Sequence, residues 1–172
     1  MLVKDPTTVV KRDGVILSPA TLQQNSFYFF ESTTADVIEA DKPVMVAQFM
    51  TGGACLGNGL GDPEMIFISP VEQGIKRVGF YRNTRESISV NYLTMIIPTN
   101  GVASLRIDGS ATFDHSYVHP QDSRYTIVVK RWTASQSQAI VFSDSAFTAI
   151  TYGLGSVESY GYNAGTLINN LS

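Results

Sequence analysis

Two acidic residues, Glu64 and Glu72, are the first candidates for chemistry in this sequence. Glycoside hydrolysis needs two carboxyl groups placed across a sugar, so the pair raises a carbohydrate-active enzyme, or an accessory domain of one, as an alternative function. Many acidic proteins contain two acidic residues this close in sequence, so the pair alone is weak evidence for glycosidase activity. The sequence also contains no Gly-x-Ser-x-Gly elbow. We therefore predict that the chain is not an enzyme and has no catalytic residues.

The single cysteine Cys55 and the two histidines His115 and His119 offer nucleophilic or metal chemistry. Two histidines four residues apart share one face of a helix and can bind a metal. Here Pro120 follows at once and no helical pattern surrounds them. An isolated cysteine is usually inert, and a single one cannot form an internal disulfide. We predict no metal site and no cofactor; calcium stays an open alternative without the spacing of a known calcium loop.

A glycine-rich stretch from Thr51 to Pro63 resembles a phosphate-binding loop only superficially. Such loops work because they open a helix whose N-terminal amides face the phosphate. Here Pro63 and a β-type run follow, without the Lys-Ser/Thr pair of that motif. The pattern therefore favours a packed or flexible turn.

A basic and aromatic cluster comprises Arg77, Tyr81, Arg82 and Arg85. Tyrosine and arginine are enriched in binding hot spots because they combine a large contact area with directional donors. These four residues are therefore the predicted ligand-binding residues. The alternative is a solvated edge strand whose charges prevent aggregation.

Composition limits the possible partners. The chain has 172 residues, 44% of them hydrophobic and 16% charged, with a formal net charge of −3. These values suit one domain or two tightly fused half-domains and argue against the concentrated basic face of a nucleic-acid binder. The sequence also has no apolar run of the ~20 residues that a membrane helix needs. The polar start Met1–Pro6 lacks the features of a secretory signal. This leaves a cytosolic protein or a segment of a longer exported protein, and we favour the segment.

Strand signals dominate the elements that must position these residues. The runs Met65–Ile68, Ile88–Ile97 and Tyr125–Trp132 are rich in β-branched and aromatic residues. Val44–Phe49 is apolar on both faces except at Gln48, which predicts a strand covered on two sides.

One pattern occurs twice, at about 10–52 and 105–153. Each copy has an Asp-Gly turn (Asp13-Gly14 and Asp108-Gly109), a strand, a strand ending in aspartate and an apolar strand. We therefore predict an all-β fold in which two related β-sandwich halves, jelly-roll-like, pack as one unit over 1–172.

Several short motifs resemble a known family when they are taken in order. They are Asp41–Phe49, Gly61–Met65, Ser69–Gln73, Asn91–Leu93 and Glu158–Gly165. Together they resemble the N-terminal domain of the IgGFc-binding protein, and the tyrosine-rich end from Tyr152 to Tyr162 is similar to the version in Bacteroidetes-type surface proteins.

The resemblance implies an extracellular or cell-surface, non-catalytic interaction or adhesion module. Its expected ligand is a glycan, a mucin-like glycoprotein or a neighbouring domain of the parent protein; a purely structural spacer is a further alternative. The motif residues would chiefly fix the link between the halves, and Glu72, if buried, should be hydrogen-bonded. These structural motif residues are Gly61, Asp62, Pro63, Met65, Pro70, Val71, Glu72, Gln73, Tyr160 and Gly161.

Overall fold

A computed structural model describes residues 1–19, 22, 27–53, 57, 59–133 and 136–168. It confirms the predicted all-β class, with short 3₁₀ helices at Val71–Gln73 and Thr99–Ser104. The strands are β1 (Leu2–Val3), β2 (Val10–Arg12), β3 (Val15–Ile16), β4 (Ile38–Ala40), β5 (Val44–Met50), β6 (Glu64–Ile68), β7 (Ile75–Tyr81), β8 (Ile88–Pro98), β9 (Arg106–Ile107), β10 (His115–Val118), β11 (Tyr125–Trp132), β12 (Gln138–Gly155) and β13 (Glu158–Asn163).

The main body is built around β12, a strand of 18 residues. Its second part lies between β8 and β13, in a sheet of order β10-β11-β8-β12-β13. Its first part pairs with β7 on one side and β9 on the other. The register on β7 shifts between Phe142 and Phe147, so an irregularity separates the two parts of the strand.

The hydrophobic core draws on both parts of this arrangement. Alternate residues of β8 point into it, because successive side chains of a strand face opposite sides. Leu93, Met95 and Ile97 are each fully buried, and Val141 and Phe147 come from the two parts of β12. The core therefore holds the β7–β12–β9 layer against the larger sheet.

Two three-stranded sheets precede and flank this body. One has the order β3-β2-β4 and the other β1-β5-β6. The second sheet contacts β13: a Cβ added at Gly161 would lie only 2.4 Å from Cδ1 of Ile66, so the absence of a side chain there permits the close approach.

The two predicted Asp-Gly turns form with the same geometry. Asp13 and Asp108 both have φ of 51°, and the glycines that follow have φ of 77° and 80°. Positive φ at both central positions is the turn that suits the twist of a hairpin, and aspartate and glycine tolerate it best. Local sequence alone therefore determined these two hairpins.

The surroundings of the two segments differ. Segment 10–52 contributes short strands to two small sheets, whereas 105–153 contributes β10, β11 and most of β12 to the main body. The predicted division into two jelly-roll-like halves therefore stays a prediction.

Candidate functional site

The outer surface of the β7–β12–β9 layer brings together basic and aromatic side chains. Phe142 pairs directly with Arg77 on one side and with Arg106 on the other. Directly opposed residues in a sheet project from the same face, so the three side chains form one row. Ile140 and Tyr81 lie further along the same face. We call these five residues, Arg77, Tyr81, Arg106, Ile140 and Phe142, the Arg–Phe face.

The apolar members of this face are exposed to solvent. The exposed fraction is 41% for Phe142, 48% for Ile140 and 58% for Tyr81, while Val141, between the first two, is fully buried. Gly79 pairs with Ile140, and a Cβ built there would meet nothing within 4 Å. The face is therefore open and shallow at its centre.

Arg106 is held in place by its own backbone surroundings. Its Nη1 donates to the carbonyl oxygens of Ala103 and Leu105 at 2.9 and 2.8 Å. A guanidinium fixed in this way loses less side-chain entropy when a ligand binds. With exposed Arg77 across Phe142, the face can offer directional donors to carboxylate or sulfate groups on both sides of an apolar centre.

The edge of the face at Tyr81 is fixed by β13. The hydroxyl of Tyr162 donates to the carbonyl oxygen of Tyr81 and accepts from its N–H at 3.0 Å. Burial raises the pKa of Tyr162, so the phenol stays protonated at neutral pH and serves as donor and acceptor together.

Arg82 lies inside the protein, in contrast to the surface position expected from the sequence. It is fully buried, its Nε and Nη2 donate to the carbonyl of Gln136 at 3.1 and 2.6 Å, and its guanidinium carbon lies 4.0 Å from the ring centroid of Trp132. Burial lowers the pKa of Arg82. Its Nη1 has no hydrogen-bond partner among the described residues. Trp132 of β11 covers the guanidinium of Arg82. Arg82 therefore does not form part of the exposed Arg–Phe face.

Arg85 lies beyond the end of β7. Its N–H donates to Oδ1 of Asn83 at 2.9 Å and its carbonyl accepts from Ile88. The side chain is exposed. Ligand binding by Arg77, Tyr81, Arg82 and Arg85 stays a prediction.

The Gly61-Asp62-Pro63 motif lies against the turn between β12 and β13. The N–H of Gly61 donates to the carbonyl of Gly155 at 2.8 Å. Ser159 accepts from the Asp62 N–H at 3.2 Å and donates to its carbonyl at 2.7 Å. Met65 follows in β6 with its side chain 46% exposed. These contacts join the start of β6 to the main body.

The second motif, Pro70 to Gln73, contacts the C-terminal segment. The carbonyl of Gln73 accepts from the N–H of Leu167 at 2.9 Å and from Oγ1 of Thr166 at 3.2 Å. Val71 and Glu72 are exposed. The expectation that a buried Glu72 carboxylate would be hydrogen-bonded therefore does not apply, because Glu72 is not buried.

Tyr160 and Gly161 of the last motif are half-buried on β13. The Tyr160 hydroxyl donates to Oδ1 of Asn91 and accepts from the N–H of Asn83 at 3.1 Å. Burial raises the pKa of Tyr160 as well. A structural role for both residues stays a prediction.

The described residues among those considered for catalysis lie in separate elements or at different depths. Glu64 is half-buried at the start of β6, whereas Glu72 lies exposed in a 3₁₀ helix. His115 is exposed on β10, and His119 is buried with Nδ1 accepting from the N–H of Gln121 at 3.2 Å. Cys55 lies outside the described residues. This arrangement offers no observation in favour of glycoside hydrolysis.

Metal-binding clusters and membrane-spanning helices are both absent from the described part of the chain. Within residues 1–19, 22, 27–53, 57, 59–133 and 136–168, no group of three or more His, Cys, Asp or Glu side chains is placed to hold a metal ion. None of the helices in those ranges has the length and apolar character needed to cross a membrane.

Sequence reasoning missed Arg106, Ile140 and Phe142 as partners of Arg77. The Asp-Gly turn after Arg106 indicates a hairpin, but it does not indicate that β9 and β7 flank the same strand. That pairing joins residues far apart in the chain, and short patterns carry no information on it.

Comparison with known proteins gives one match. The model of the family described as IgGFc binding protein matches residues 1–153. Neither a curated protein nor a solved structure shows significant similarity to the chain.

Proposed function

Because the chain belongs to the IgGFc binding protein family, we propose that it is a non-catalytic extracellular interaction module that binds an anionic glycan on a mucin-like glycoprotein. The family is one of binding domains, and its members are typically secreted or extracellular. The parent protein would be a surface protein of the Bacteroidetes type. The observation that carries the proposal is the row Arg77–Phe142–Arg106 on the Arg–Phe face.

The chemistry of this row suits an acidic sugar. Each guanidinium can donate two parallel hydrogen bonds to a carboxylate or sulfate, and Phe142 between them can pack on the apolar side of a sugar ring. Tyr81 adds an amphipathic ring at the end of the face, which is common in binding surfaces. A long acidic chain fits such an open surface better than a small molecule, which usually needs an enclosed pocket.

A glycan array and a mucin-binding assay test the proposal. We expect binding to sialylated or sulfated glycans that falls as salt rises, because the contacts are charged and exposed. The double variant Arg77→Ala/Arg106→Ala should bind at least about tenfold more weakly, the loss typical of hot-spot residues. Arg131→Ala, an exposed arginine of β11, is the matched control.

The outcomes separate the alternatives. Absence of binding to any glycan or mucin would favour a structural spacer, and equal losses in the variant and the control would place the ligand elsewhere. Cleavage of a bound glycan would favour the carbohydrate-active enzyme.

We also propose that segments 10–52 and 105–153 descend from one duplicated unit within a single domain of 1–172. Support comes from the matching turns and from matching strand pairs: Arg12 with Ile38, and Ile107 with Val141. Family members in which one unit occurs alone, or in further copies, would test the duplication. Members that uniformly lack any similarity between the two segments would contradict it.

A further inference from the structure

The sheet β1-β5-β6 exposes an apolar surface on the side away from β13. Alternate residues of β5 share this side with their partners on the neighbouring strands: Leu2 opposite Met45, Ala47 opposite Phe67, and Phe49 opposite Met65. We call these six residues, Leu2, Met45, Ala47, Phe49, Met65 and Phe67, the apolar face. All except the small Ala47 are between 44% and 61% exposed.

The other side of the same sheet is partly covered. Ile66 is 4% exposed and packs where Gly161 leaves room in β13. The β13 side is apolar except at Gln48 and Glu64, and it is partly covered, whereas the apolar face is open. Sheets with two apolar sides are normally buried between two layers, so the apolar face lacks the layer that its sequence predicts.

A cleft of about 370 Å³ opens on the apolar face. Phe27, which forms a β-bridge to Leu2, and Phe29 extend the apolar surface along its rim. Among the described residues that line the cleft, no side chain carries a charge. A cavity of about 150 Å³ already holds a benzene ring, so the cleft has room for an aromatic side chain.

The size of the surface is that of an interface. Phe27 and Phe29 are 53% and 63% exposed. Together with the apolar face they present on the order of 700 Å² of apolar area, taking roughly 150–250 Å² for each large side chain. The largest apolar patch of a typical monomer is about 300–600 Å². A standard interface buries about 800 Å² on each partner.

We propose that a second copy of this chain covers the apolar face, with the two β1-β5-β6 sheets packed face to face about a two-fold axis. The surface is self-complementary, because each copy offers both a cleft and protruding rings such as Phe29 and Phe49. A surface without charged side chains meets its own copy without repulsion between side chains of like charge, whereas a polar partner would leave its own polar groups unpaired. This inference concerns a different surface from the Arg–Phe face and does not depend on glycan binding.

Sedimentation equilibrium of the 172-residue chain tests the assignment. We expect a mass that rises with concentration from 18.7 kDa to twice that value. Phe49→Glu and Phe67→Glu should each raise the dimer dissociation constant at least about 100-fold, because each buries a charge in an apolar interface. Ile16→Glu, at a residue 60% exposed on β3, is the matched control and should leave the dimer unchanged.

Far-UV circular dichroism of each variant distinguishes loss of association from loss of folding. A second measurement needs no disruptive substitution: Ala47→Cys in a Cys55→Ser background should cross-link between copies with a bismaleimide of about 10 Å, the spacing of packed sheets. Ser116→Cys on β10 should not.

A wild-type chain that stays monomeric at about 100 µM, a concentration that would populate any dimer of micromolar affinity, overturns the proposal. Folded charge variants that remain dimeric overturn it as well. If the chain stays monomeric and binds lipid vesicles, the apolar face is a membrane-binding surface, and this result also overturns the proposed dimer.

Discussion

Asp13 and Asp108 make the same contacts in two very different parts of the molecule. The N–H of Asp13 donates to the carbonyl of Val37 at 2.9 Å, and Oδ1 of Asp13 accepts from the N–H of Val37 at 2.8 Å. Asp108 repeats both contacts with Ile140, each at 2.8 Å. The first turn belongs to a small sheet of short strands, and the second lies on the longest strand of the chain.

The difference shows what a turn does and does not determine. Both turns set the local hairpin and hold a third strand through the aspartate. The packing behind them is unrelated to the turn: Leu105 before the second one belongs to the main core, whereas Val10 before the first is buried outside that core cluster. We therefore expect that equivalent substitutions of the two turn aspartates change the stability equally. Substitutions of Val10 and Leu105, the buried residues before the turns, should change it unequally.

The largest effect is expected behind the turns. Leu105→Ala should lower the free energy of unfolding by about 3 kcal/mol, since it removes a buried leucine from the main core. Val10→Ala should lower it by about 1.5 kcal/mol, since two methyl groups are removed from a smaller cluster. Urea unfolding measures both, with the exposed Ile16→Ala as control. Equal losses would show that the two regions share one core.

An intermediate effect is expected at the turns themselves. Asp13→Ala and Asp108→Ala each remove an acceptor for a backbone N–H and put alanine at positive φ, so each should cost about 1–2 kcal/mol. The asparagine variants keep an acceptor and tolerate that backbone, and should cost less. Thermal unfolding of the four variants measures these losses. If replacing one of the two aspartates left the stability unchanged, the two turns would not be equivalent.

The smallest effect is confined to the main body and depends on pH. Burial raises the pKa of Tyr160 above its ordinary 10.0. The stability linked to this protonated phenol is fully present below about pH 10 and is lost as pH rises through the raised pKa. Tyr160→Phe should therefore lose stability less steeply above pH 10 than the wild type.

The control for this comparison is Tyr117→Phe, at an exposed tyrosine of β10. Thermal unfolding between pH 9 and 11 should give the control and the wild type the same slope. Parallel slopes for all three proteins would show that Tyr160 does not titrate differently in the folded and unfolded states.

The fold class and both hairpins could be predicted from the sequence because they depend on local signals. Tyr125–Trp132 is a strand as predicted, and Asp108-Gly109 forms the turn after β9 through the backbone preferences of these two residues. Val44–Phe49 also forms a strand with apolar residues on both sides, although only one side is covered within the chain.

The candidate site could be predicted only in part, because it depends on long-range register. Arg77 and Tyr81 lie on one strand, so their shared face follows from alternation along β7. Their neighbours Arg106 and Phe142 come from strands that the sequence does not pair. Arg82 was expected at the surface, and only the position of Trp132 across the layer explains why it is buried.

The 18-residue strand β12 has a mechanical consequence. A strand that forms hydrogen bonds in both layers cannot leave one of them without disturbing the other, so neither layer can open by itself. Amide protons from Thr148 to Gly153 should consequently exchange with solvent only when the whole body unfolds. A pulling force on the protein would be borne by β12, since the same backbone links the β7–β12–β9 layer to the larger sheet.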